Sequence, residues 1–211
     1  MKREKWLLAF GLAAVIGFGA SGVANAASII DEWASVKAPA EPPPLKTVTV
    51  DPKTTALLML DFVAPICGHT PRCVATLPAV KKLLDEARAH DMMVVYTSIP
   101  NVPASAVVPE LAPTGKEPFV QSFIDKFLNS DLEKILKDKG IKTVIAVGVS
   151  AVGAVLNTSS HAAQIGFDVI VPADGLSAAD TYFEQYAVWQ LTHAPVIPPH
   201  IALTSVDMIK F

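Results

Sequence analysis

The residue best placed for acid–base chemistry is Asp61, which closes the apolar run Leu57-Leu58-Met59-Leu60 and is followed by Phe62. A carboxylate among apolar neighbours keeps its proton to higher pH than one in water, which suits a general acid or base. The same position also suits a carboxylate that caps a neighbouring helix or turn. Just beyond it, Cys67-Gly68-His69-Thr70-Pro71-Arg72-Cys73 holds both cysteines of the chain. In an oxidising compartment two cysteines so spaced most simply form one disulfide, worth about 2 kcal/mol through the loop it closes. The competing reading is a metal or redox site, because Cys67, His69 and Cys73 are three soft ligands in one short loop; a fourth ligand is not evident. Hydroxyls gather later at Ser150, Thr158, Ser159 and Ser160, but serine attacks weakly without a base beside it. His90, His161, His193 and His200 read as structural or solvated side chains.

Presenting a carboxylate at the end of an apolar run requires a strand. From residue 54 onward, strand-length apolar runs (56–60, 92–96, 143–147, 169–171 and 201–203) alternate with segments of helical spacing. Continuous apolar runs imply strands buried on both faces, as in a parallel sheet. Leu77, Val80, Leu83, Leu84 and Ala87 form one apolar helix face. Leu128, Leu132, Ile135 and Leu136 form another, with Gly140 placed to end that helix. The expected fold is an α/β three-layer α/β/α sandwich with a mostly parallel sheet of about six strands. In such a sheet ligands bind beyond the carboxyl ends of the strands, where Asp61 stands. Residues 98–115 contain Pro100, Pro103, Pro109 and Pro113 and no clear period, so they form a long loop that is either a lid over the crevice or a passive surface excursion.

The order of these pieces resembles the isochorismatase-like cysteine hydrolases. Leu57 to Phe62 is similar to that family's opening strand and acidic residue, Glu117-Pro118-Phe119-Val120 to its short third strand, and Gly140 to Val149 to the strand that leads to its nucleophile. The likeness continues through Ala162 to Val171, Ala173-Asp174 and Ile201 to Asp207, and covers residues 54–211. It implies the isochorismatase-like fold and a hydrolase acting on amides and related C–N bonds through an aspartate, a lysine and a cysteine at a helix N-terminus. On this resemblance Asp61 takes the aspartate position, Ser122 falls at the lysine position and Ala154 at the cysteine position. No cysteine follows Cys73, so no shift of register restores a thiol. Lys116 and Lys126 are replacement cations to consider, although lysines in such segments are more commonly exposed. One branch of the family, the isochorismatases proper, also lacks the cysteine and is thought to use the aspartate as general acid on a vinyl ether. The resemblance therefore leaves two functions open: a small-molecule hydrolase using Asp61 as acid or base, or a non-catalytic pseudoenzyme that keeps the fold for ligand binding or assembly.

The N-terminus bears Lys2, Arg3 and Lys5, then an apolar run from Trp6 to about Phe18, then Ala24-Asn25-Ala26, the pattern of a secretory signal with its cleavage site. Three segments follow from this: a signal peptide at 1–26, a Pro-rich N-terminal arm at 27–53 (Pro39, Pro42, Pro43, Pro44, Pro52), and one domain at 54–211. The protein is expected to be exported, periplasmic or secreted, with no membrane attachment after cleavage. Loss of the signal takes the formal charge from −3 to about −5, and without a basic patch nucleic acid is excluded as a partner. A small-molecule ligand or substrate is expected, with no cofactor and no metal. Tyr182, Phe183, Tyr186 and Trp189 have helical spacing and mark either core or a contact between copies, so a homo-oligomer is possible.

Overall fold

An apolar run must pair its backbone N–H and C=O groups with another strand, and the runs of this chain do so in parallel. The computed structural model describes residues 27–211, and the expected signal peptide lies outside them. In chain order the elements are β1 (Val48–Thr49), β2 (Thr55–Leu60), α1 (Ala64–Cys67), α2 (Pro71–Ala89), β3 (Met93–Ser98), β4 (Phe119–Gln121), α3 (Leu132–Asp138) and β5 (Thr143–Val149). A π-helical turn, Ala151–Val155, then runs into α4 (Leu156–Gln164), followed by β6 (Asp168–Pro172), β7 (Leu176–Ser177), α5 (Thr181–His193), β8 (Ile201–Thr204) and β9 (Ile209–Lys210).

The main sheet has the order β4-β3-β2-β5-β6-β8, with the short β7 also beside β5, and every pairing is parallel. Side chains alternate across it with period two. Leu58, Leu60, Val144 and Ala146 face a core shared with α3, α4 and α5, whereas Leu57, Met59, Ile145 and Val147 face α2 through Val80, Leu83 and Leu84. These are the three layers expected from the sequence.

Three segments depart from expectation. The helix expected from Leu128 begins at Leu132. Asn129 takes a left-handed φ of 51°, and Ser130 Oγ accepts the Leu132 N–H, so the chain before it turns rather than coils. Gly140, at φ +69°, does end this helix. The segment read as an arm is divided: the chain forms two units, one ending at Ala40 and one spanning Glu41–Phe211. In the first, the described residues hold one 3-10 turn, Trp33–Ser35. In the second, Val48 and Thr49 pair in parallel with Ile209 and Lys210, and Lys46 N–H donates to Leu203 O at 2.9 Å. Residues 98–115 lie down as a fixed strap. Val107, Val108 and Leu111 are buried, Val108 N–H donates to Phe62 O, and Tyr96 Oη donates to Leu111 O at 2.8 Å. Arg88 secures the far end through Ala112 O and Glu117. Burial raises the Glu117 pKa, but hydrogen bonds from Thr114 and Arg88 outweigh it and bring the value to about 2.

Candidate active site

The chain leaves β2 for β3 on one side and later returns to β5 on the other. The carboxyl ends of β2 and β5 therefore flank a topological switch point, the place where an open parallel sheet offers a crevice. Asp61 is the first residue after β2 and has a left-handed φ of 60°, which turns the chain sharply out of the sheet. The approach of β2 to β5 is close: a Cβ on Gly148 would stand 2.4 Å from Leu60 O. Only glycine fits there.

The Asp61 carboxyl is bonded on both oxygens. Oδ1 accepts from Thr97 Oγ1, at the end of β3, at 2.9 Å. Oδ2 meets Lys126 Nζ at 2.8 Å, with side-chain exposures of 5% for the aspartate and 0% for the lysine. An ammonium has three protons to donate, and Lys126 directs Nζ to Asp61, to Ser122 O at 3.1 Å and to Ser98 O at 3.4 Å. Burial pushes the Asp61 carboxyl up, against the opposing pull of Lys126 and Thr97. Burial likewise pushes the Lys126 amine down, against Asp61 and Asp125. Burial thus works against the charge on both partners while their contact works for it, and it makes Asp61 easier to protonate than a free carboxylate, which suits a proton donor at the carboxyl edge of the sheet.

The other candidates fall in place around this pair. Ser122 is buried and gives its hydroxyl to the carbonyls of Asp125 and Leu128, so it shapes the turn and lends only its own carbonyl to the lysine. The cation facing Asp61 is Lys126, four residues further on, and the expectation that it is a surface lysine is corrected. The signal available in sequence was its setting in Phe123-Ile124-Asp125-Lys126-Phe127-Leu128, a charge amid apolar residues. Lys116 lies outside this cluster, in the turn between residue 111 and β4. Ala154 is buried in the π-helical turn that follows β5 and belongs to the core on the α4 side; it offers no nucleophile. The Val149–Ser150 peptide that leads into this turn is cis. Ile124 borders the turn, since its Cγ2 would lie 3.8 Å from a Cβ on Gly153, and both Ile124 and Phe123 are exposed.

Among the described residues near the π-helical turn, the hydroxyls are not paired with a base that would activate them. Thr158 Oγ1 accepts the Lys126 backbone N–H at 3.2 Å, Ser159 Oγ is buried without a partner, and His161 turns its Nδ1 to Asp125 at 2.7 Å. Cys67 and Cys73 form a disulfide, which removes two ligands from the metal reading of that loop. His90 stacks on Phe211 and His193 on Trp189, and His200 meets Asp168. Tyr182, Phe183, Tyr186 and Trp189 lie on α5 and are exposed, so they are not core. A separate cleft of about 470 Å³, lined in part by Thr54, Thr143, Asp168 and His200, opens at the amino ends of the strands, the edge opposite Asp61.

A family model described as the isochorismatase domain matches residues 55–198. A secreted isochorismatase effector from Verticillium dahliae is 30% identical over 118 residues, which cover 50% of this chain and 62% of that protein. The chain thus spans less than two thirds of this relative's length. Among solved structures, an isochorismatase-like hydrolase from Alkaliphilus metalliredigens superposes with a TM-score of 0.65 at 24% identity, covering 73% of this chain and 95% of the other. A cysteine hydrolase from Pseudomonas syringae does so with a TM-score of 0.68 at 19% identity, covering 78% and 94%. At these identities the structural likeness speaks for the fold.

Proposed function

For this chain, which belongs to the isochorismatase family, we propose the role of an exported small-molecule hydrolase that uses Asp61 as general acid and base without a covalent intermediate. The observation that carries the reading is the buried contact of Asp61 Oδ2 with Lys126 Nζ at 2.8 Å beside a turn where Ala154 offers no nucleophile. Acyl transfer from an amide through the enzyme needs an attacking atom, and the site has none to supply. Hydrolysis of a vinyl ether needs only a proton donor and water. Asp61 gives its proton to the terminal vinyl carbon, which leaves an oxocarbenium ion and a carboxylate. Lys126 holds that carboxylate in place and stabilises its charge. Water adds to the cation and returns a proton to Asp61. The hemiketal then collapses to a carbonyl compound and an alcohol, so atoms and charge balance over the cycle.

Export is supported by the basic and apolar N-terminus, by the Cys67–Cys73 disulfide, which persists in oxidising compartments, and by the secreted relative. The test is a panel of vinyl ethers, amides and aromatic acids assayed with wild type and Asp61→Asn. Turnover of a vinyl ether that drops by about 100-fold or more in Asp61→Asn is the expected result. Unchanged turnover in Asp61→Asn sinks the hydrolase reading. Ligand binding that persists with no turnover favours the alternative of a pseudoenzyme that kept the pocket.

A further inference from the structure

Lys126 reaches Asp61 from a ten-residue connection between β4 and α3 that contains no helix or strand, and a buried amine on such a segment needs something to hold it. Three contacts hold it to α4. Thr158 Oγ1 accepts the Lys126 N–H at 3.2 Å. One turn later on the same helix face, His161 Nδ1 meets Asp125 Oδ2 at 2.7 Å. The ring of Phe127 lies 5.1 Å from the His161 ring, tilted by 38°. Asp125 Oδ1 closes the turn by accepting the Phe127 N–H at 3.0 Å. The residues on either side of Lys126 are thus both anchored on His161. Among the described residues, the charged or titratable groups grouped around the lysine are Asp61 at the end of β2, Asp125 on its own segment and His161 on α4.

We propose that His161 and Asp125 are positioning residues, a clamp that fixes the Lys126 ammonium against the Asp61 carboxyl. His161 keeps 34% of its side chain exposed and is not in contact with the reacting pair, so it acts through Asp125. A geometry this tight between two side chains on unrelated elements is lost if the segment carrying one of them drifts by an ångström.

This inference rests on Asp61 and Lys126 being the reacting pair, yet its test needs no substrate. The full mature chain is labelled with ¹⁵N at lysine Nζ and ¹³C at the aspartate carboxyl, and the Lys126 and Asp61 signals are assigned by their loss in Lys126→Met and Asp61→Asn. In wild type the two signals are expected to change together with pH. In His161→Ala and Asp125→Ala they are expected to separate, with the Asp61 midpoint displaced by about one pH unit. His161→Gln, whose amide can still donate to Asp125, is expected to restore the joint transition. Joint titration at the wild-type midpoint in both alanine variants, with only a lower melting temperature, overturns the clamp. So does His161→Gln behaving as His161→Ala. Should the alanine variants fail to fold, Asp125→Asn decides: it keeps an acceptor for the Phe127 N–H but loses the charge facing His161, and an unmoved midpoint overturns the proposal. Absence of any turnover counts against the hydrolase reading and leaves this result standing.

Discussion

Lys126 is a fully buried charge, and its energetics follow from the partner it faces. Burying an ammonium is unfavourable unless its donors are satisfied, and Asp61, Ser98 O and Ser122 O supply the acceptors. Lys126→Met leaves the Asp61 carboxyl buried without its cation, and loss of one partner of a buried pair costs about 3–5 kcal/mol. The pH dependence has a definite sign. Burial already raises the Asp61 pKa and Lys126 opposes it, so the variant's carboxyl is raised further. Above that pKa the variant must bury a bare carboxylate; below it the group is neutral. Urea unfolding is expected to show the largest deficit of Lys126→Met above neutral pH and a shrinking one as pH falls. Equal deficits at pH 8 and pH 5 would contradict this. Asp61→Asn/Lys126→Met is expected to recover part of the loss, since no charge then remains to be stranded.

At the scale of elements, the site depends on how closely two strands and two helices meet. β2 and β5 touch at Leu60 and Gly148, with no room for a methyl group. Gly148→Ala is expected to destabilise the protein by about 1–3 kcal/mol and to lower turnover more than binding, because the strand carrying Asp61 must move. A wild-type unfolding midpoint in that variant would show that the β2–β5 approach tolerates a methyl group. The disulfide acts on the next link. Cys67 ends α1, a helix of four residues that is too short to hold itself, and Cys73 lies in the first turn of α2, with Cα atoms 5.2 Å apart. Cys67→Ala/Cys73→Ala is expected to lose about 2 kcal/mol in urea unfolding, with α1 and the chain leaving Asp61 the first part to exchange amide protons. A pair of alanines that changes neither would make the bond irrelevant to the site.

For the whole molecule, the parallel sheet sets where chemistry can occur and the Cys67–Cys73 disulfide staples the chain just beyond Asp61. The carboxyl edge at the β2–β5 switch point carries Asp61, whereas α5 turns Tyr182, Phe183 and Tyr186 to solvent. Export predicts a mature chain that begins near Ala27 and weighs two hydrogens less than its reduced form. Intact-mass spectrometry of the protein recovered from its native host reads both at once. Retention of residues 1–26, or two free thiols, would count against export and the oxidised state respectively.

The sequence by itself determined the layer architecture, because strand-length apolar runs and amphipathic helices can bury their surfaces in few other ways. It also placed Asp61 at the end of a strand, since that position is counted along a regular element; Ala154 was singled out only through the family resemblance. Family membership was legible in the order of these elements. Lys126 was legible only as one of two candidate cations with Lys116: it lies on an irregular segment, where no period says which way a side chain points, and the same segment delayed the start of α3 to Leu132. Likewise the strand at Val48 pairs with residues 161 positions away at Ile209, a contact that no local pattern encodes. Only the tertiary structure decided that the alanine site retains a buried acid and its lysine, because their meeting depends on the packing of β2, the 122–131 segment and α4.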